Sequence, residues 1–248
     1  MKKKLIGTLC ALAITVSSIT PAVHAQVKTP DSLKEWNVKE LTATSGNYTF
    51  TYYKSTDEKS SWLTKIDVTS NKGKVKTLDI PATLGGAPVT QIGYDYITRD
   101  ANSGEDYDEF GQTVFGMYVE EAHNCDGAFE DTKSITKLTI PDTVKAIGWD
   151  SFSGLDALKE VKLPNALTEL GNSAFYGCTG LQEIIIPDTV TTIGESAFSE
   201  CTNATKVVIP DSVTQLGKWA FYDDSSLTDV TIGSGLTKLD NYQFYRCS

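Results

Sequence analysis

Histidine is nearly absent from this chain. Only His24 and His123 occur, which excludes a metal site built from several imidazoles. The five cysteines, Cys10, Cys125, Cys178, Cys201 and Cys247, include no Cys-x-x-Cys pair, so the spacing of a zinc cluster is missing as well. Positive charge is scarce: 22 Lys and Arg face 32 Asp and Glu, for a net charge of −10. Such a chain repels nucleic acid and anionic membrane surfaces, and neither is expected as a partner. Beyond the N-terminus, no apolar run reaches the roughly 20 residues that a membrane-spanning helix needs.

Two stretches approach a chemical motif and fail. Asp100, Asn102, Gly104 and Asp106 alternate in the manner of a calcium loop. An EF-hand would place glycine where Glu105 stands and glutamate where Gly111 stands. Gly194-Glu195-Ser196-Ala197-Phe198 superficially suggests a nucleophile elbow, but its fifth residue is not glycine. The element also recurs as Gly171-Asn172-Ser173-Ala174-Phe175, and a catalytic serine needs one unique base. The expectation is a protein that is not an enzyme, with no metal and no cofactor.

What is present begins with a leader. Lys2, Lys3 and Lys4 precede the apolar stretch 5–16, and Val23-His24-Ala25 has the small residues of a cleavage site. Residues 1–25 therefore read as a signal peptide, leaving Gln26 as the new terminus and a secreted or cell-surface product. Its loss takes three lysines and no acid from a chain of net charge −10, leaving −13.

The rest is organised by a repeat of 23 residues. Ile135, Leu158, Leu181, Ala204 and Leu227 begin successive copies. Pro141, Pro164, Pro187 and Pro210 keep the same step, as do Gly148, Gly171, Gly194 and Gly217, and Phe152, Phe175, Phe198, Phe221 and Phe244. A period of this size marks a solenoid, whose units bury their apolar faces only against one another. Within each unit, pairs such as Leu138 and Ile140 alternate inward on a short strand. A proline that cannot donate to the ladder ends the strand, and the glycine is expected to permit a tight bend. One short strand per repeat gives a parallel, in-register sheet with little helix.

Cys178, Cys201 and Cys247 share one repeat position, occupied elsewhere by Leu155 and Asp224. Side chains stacked in neighbouring strands point the same way about 4.8 Å apart, which does not give disulfide geometry. A ladder of buried thiols is expected, each packing as a small hydrophobe.

Before the regular array, residues 26–76 read as an N-terminal cap that covers the open end of the core. A short helix is expected over 29–41, and strands over 47–53 and 62–69, with Trp62, Thr64, Ile66 and Val68 on one side. A turn at Asn71-Lys72-Gly73 leads to a strand over 75–80. The solenoid is placed at 77–248. Its first repeat carries five extra residues around Gly85-Gly86-Ala87-Pro88 and a second insertion of 32 between Gly93 and Phe129. The stretch 94–126 holds nine acids and six aromatics; it is expected to cover a sheet edge or contribute to binding, with a mobile solvated loop as the alternative.

The unit Leu181-Gln-Glu-Ile184-Ile-Ile186-Pro187-Asp-Thr-Val190-Thr-Thr-Ile193-Gly194-Glu-Ser-Ala197-Phe198-Ser-Glu-Cys201 resembles the BspA-like, or Treponema pallidum-type, leucine-rich repeat at every fixed position. The resemblance covers 77–248 apart from the insertion. It implies a surface protein that binds host or other extracellular proteins and carries no catalytic residues. The last repeat departs from the pattern, with Gly233 for proline, Asp240 for glycine and Gln243 for alanine. This departure leaves open a longer array, or an end that packs on something.

The expected function is a protein-binding or adhesion module with an extracellular protein or peptide as partner. The alternatives are the repeat region of a larger secreted enzyme, or a structural spacer. Outward strand residues form the candidate surface. One column is Lys137, Glu160, Glu183, Lys206 and Asp229, and the other is Thr139, Lys162, Ile185, Val208 and Thr231. Ile185 beside Val208 places two branched apolar side chains on a face exposed to water, with a polar rim.

Overall fold

The computed structural model describes residues 3–6, 41–55, 57–70, 74–93, 134–239 and 242–247. Strand β1 (Lys3–Ile6) lies at the N-terminus, followed by an antiparallel meander of β2 (Leu41–Ser45), β3 (Tyr48–Lys54) and β4 (Ser61–Val68). Next come β5 (Thr77–Asp79), β6 (Thr83–Leu84) and β7 (Ala87–Ile92). The array then contributes β8 (Lys137–Thr139), β9 (Ala146–Ile147), β10 (Glu160–Lys162), β11 (Glu169–Leu170), β12 (Glu183–Ile185), β13 (Thr192–Ile193), β14 (Lys206–Ile209), β15 (Gln215–Leu216) and β16 (Asp229–Ile232). No described residue is helical.

The expected parallel ladder is present, and its register steps by 23 residues. Lys137 pairs with Glu160, Glu183 with Lys206, and Lys206 with Asp229. It forms two groups, β5-β8-β10 and β12-β14-β16. The repeats that begin at Ile135, Leu158, Leu181 and Ala204 each also add a second, two-residue strand. These stack on the six-residue β7 in the order β7-β9-β11-β13-β15, and β4 joins the same sheet by pairing in parallel with β7. The meander is thus a continuation of the second ladder. The five extra residues of the first repeat build the β6–β7 hairpin, closed by Gly85 and Gly86 at φ 56° and 83°. A two-residue hairpin turn of this hand requires positive φ at both positions.

Each proline ends its strand as expected, and its carbonyl then accepts a turn hydrogen bond. The N–H groups of Val144, Leu167, Val190 and Val213 donate to Pro141, Pro164, Pro187 and Pro210 at 3.0–3.3 Å. Between the two ladders lies one apolar core that runs from the meander into the last repeat, with Phe50, Leu63, Leu138, Ile184 and Val207 in it. The repeat phenylalanines stack along it with ring centroids 5.1–5.7 Å apart.

Three expectations change. The glycines of the repeat are not there for φ: Gly171, Gly194 and Gly217 do not have positive φ. A Cβ at those positions would lie 2.4–2.7 Å from backbone atoms of the preceding repeat, so close stacking of the turns excludes any side chain. The simple alternation expected over 62–69 is broken by a bulge at Thr64, since Thr51 faces Lys65 while Tyr52 faces Leu63; Leu63 thereby joins Ile66 and Val68 in the core. Leu41, the last residue of the expected helix 29–41, opens β2; the remainder of that helix lies outside the described residues, as do the turn at 71–73 and the insertion 94–126. Most of the leader is also outside them. Its residues Lys3–Ile6 pair antiparallel with β16.

Candidate functional site

Alternation along three-residue strands sends Leu138, Ile184, Val207 and Val230 inward and their neighbours outward. In the first column Lys137, Glu160 and Glu183 are exposed, while Lys206 and Asp229 are half-buried. In the second, Thr139, Lys162 and Ile185 are exposed, and Val208 and Thr231 are half-buried. The structure divides these ten residues. Lys137, Thr139, Glu160 and Lys162 lie on the β8–β10 pair, and Glu183, Ile185, Lys206, Val208, Asp229 and Thr231 on β12-β14-β16.

Ile185 is 47% exposed and sits in register beside Val208. Directly above them Lys206 Nζ approaches Glu183 Oε2 at 3.9 Å with both side chains in water. An exposed pair of this length adds little stability. It does leave a charged rim along an apolar pair.

Two further surfaces lie outside the columns expected from the sequence. Beside the starts of the central strands, Lys159, Gln182, Glu183, Asn203, Thr205 and Ser226 line an open groove of about 560 Å³. Its walls are hydrogen-bonding side chains one repeat apart, and Thr205 and Thr228 each donate to the carbonyl one repeat earlier, at Gln182 and Thr205. The second surface lies on the turns that follow the short second strands. Tyr242 and Tyr245 are each half exposed, Tyr222 stacks on Tyr245 with centroids 5.9 Å apart, and Arg246 lies 5.8 Å from the Tyr222 ring. Trp219 and Tyr242 hold φ of 55° and 72°, where other repeats have Asp150, Ser173 and Ser196 at φ 51–53°. The signal for it was the column 153, 176, 199, 222, 245, where tyrosine stands at 176, 222 and 245 and serine at 153 and 199. Its exposure follows from the turn geometry, which the sequence pattern does not reveal.

The thiols are enclosed. Cys178, Cys201 and Cys247 are buried and free, and their S–H groups donate to the carbonyls of Phe152, Phe175 and Phe221 at 3.2, 3.5 and 3.0 Å. Burial pushes the Cys178 thiol up to about 12 and the Cys201 thiol well above its usual value. Among the described residues, no group of three or more His, Cys, Asp or Glu converges on a metal position. Among the described residues there is no helix long and apolar enough to cross a membrane, which says nothing of a β-barrel.

Comparison with known proteins supplies the context. The family described as BspA type leucine rich repeat region matches residues 125–248, in six copies. A leucine rich repeat protein of T. pallidum is similar at 25% identity and a TM-score of 0.51, over 72% of this chain and 66% of that one. A leucine-rich repeat protein of Bacteroides ovatus is similar in fold, with 22% identity and a TM-score of 0.52, over 75% of this chain and 39% of that one. The chain thus spans less than two thirds of either protein. No curated protein sequence matches it significantly.

Proposed function

The chain belongs to the BspA-type leucine-rich repeat family, and from that premise we propose that it is a secreted or cell-surface module that binds an extracellular protein or peptide. The leader over residues 1–25 supports export, with Ala25 as the last residue removed. A solenoid supports binding rather than catalysis, because it presents one regular surface built from repeated positions.

One observation carries the placement of the site. Ile185 stands 47% exposed beside Val208 on the outward face of β12 and β14. Contiguous apolar patches with polar rims favour protein partners, and here Lys162, Glu183 and Lys206 supply the rim. The ten outward residues named above form the wider contact face.

The test is the double variant Ile185→Asp with Val208→Lys. Neither side chain contributes to the core, so the far-ultraviolet spectrum and unfolding midpoint should hold while capture of the extracellular partner is lost. Retained capture by a folded double variant would remove this face from consideration.

A further inference from the structure

The column 155, 178, 201, 224, 247 carries Leu, Cys, Cys, Asp and Cys. Its three cysteines share one arrangement, each donating its S–H to the carbonyl of the phenylalanine 26 residues earlier. Asp224 interrupts the series, and it is fully buried. Its Oδ1 accepts the Cys201 N–H at 2.9 Å. In the turns of Cys178 and Cys247 the equivalent N–H goes instead to the carbonyls of Phe175 and Phe244, at 3.4 and 3.3 Å. Its Oδ2 is buried with no hydrogen-bond partner.

The residue 26 positions before Asp224 is Phe198. Its carbonyl therefore stands where the acceptors of the three thiols stand. An ionised carboxylate only accepts hydrogen bonds and has nothing to give that carbonyl, whereas a neutral carboxyl has an O–H to donate. The surroundings also oppose ionisation. Glu200 on the preceding turn and Asp223 beside it are acidic, and Cys201 on the preceding turn is a buried thiol. The following turn places Cys247 in the column and sends Arg246 to Asp223, at 3.8 Å. Glu200 accepts the Tyr176 hydroxyl. Among the described residues no cation pairs with Asp224. Burial pushes its carboxyl from 3.8 up to about 8.

We propose that Asp224 is a proton-dependent latch on the last turns of the array. Neutral, it donates to the Phe198 carbonyl and completes the column. Ionised, it leaves a buried charge against that carbonyl, and the turns carrying Cys201, Asp224 and Cys247 loosen.

The sign follows from linkage. Between the unfolded pKa near 4 and the folded one near 8, the native state holds a proton that the unfolded chain has lost. The contribution to stability is complete below the unfolded value. It falls as pH rises through that window and levels off above the folded value.

The deciding experiment is a carbon NMR titration of the Asp224 carboxyl in the wild-type chain, assigned with Asp224→Asn. Amide hydrogen exchange over 201–247 is followed in parallel at several pH values for the wild type and Asp224→Cys. A carboxyl midpoint above about pH 6, more than two units from its ordinary value, supports the latch. So does protection that falls with pH in the wild type and stays level in Asp224→Cys, after correction for intrinsic exchange. A midpoint at or below about pH 6, or the same fall of protection in Asp224→Cys, overturns it. The titration needs only the wild-type fold, so a variant that failed to fold would not remove the test.

Discussion

The rings of Phe175 and Phe198 lie 5.3 Å apart, centroid to centroid, with planes 2° from parallel. Both are fully buried, and the stack continues to Phe152 on one side and Phe221 on the other. A break in such a column is shared by two neighbours, because each repeat buries its core only against the next. Phe175→Ala should cost about 3–5 kcal/mol. Urea unfolding measures it directly, and a loss below about 1 kcal/mol would mean that the column relaxes around the gap.

Gly194 offers the opposite perturbation. A Cβ there would stand 2.5 Å from the backbone of Gly171 and 2.6 Å from that of Asn172. These are main-chain atoms that cannot swing aside, so Gly194→Ala should destabilise the array by about 1–3 kcal/mol, within the range of overpacked cores. An unchanged unfolding midpoint would show that the repeats can move apart at no cost.

The thiols should be inert in the native state. Burial holds the Cys178 thiol up at about 12 and the Cys201 thiol well above its usual value, so almost no thiolate exists near neutral pH. Native protein should leave Cys178, Cys201 and Cys247 unlabelled by a thiol reagent, and unfolded protein should label all three. Mass spectrometry finding Cys178 joined to Cys201 would contradict the ladder.

Much of the array was legible because a packed column writes itself into the sequence. Phe152 to Phe244 and Pro141 to Pro210 fixed the register, and Leu138 and Ile140 marked the inward face. The second ladder was not legible. Two residues such as Ala146–Ile147 are too few to show alternation, and what makes them a strand is the neighbour one repeat away. The glycines were legible as a column but not for the right reason, because the crowding at Gly194 comes from Gly171 rather than from its own φ. Asp224 was visible as an odd member of the cysteine column. Its enclosure depends on the turns on either side. The aromatic surface at Tyr222, Tyr242 and Tyr245 was missed, since its exposure is decided by left-handed turn residues that the 23-residue pattern does not distinguish.

The central claim is that the outward face of β12 and β14 makes the contact. The most direct measurement places a photo-crosslinking residue at Ile185 in one protein and at Tyr245 in another, and exposes each to the extracellular partner. Both positions are about half exposed, 47% and 50%, so accessibility alone does not favour either. The account predicts crosslinks from position 185 and none from 245. Crosslinks from 245 alone would contradict it and move the contact to the aromatic turns.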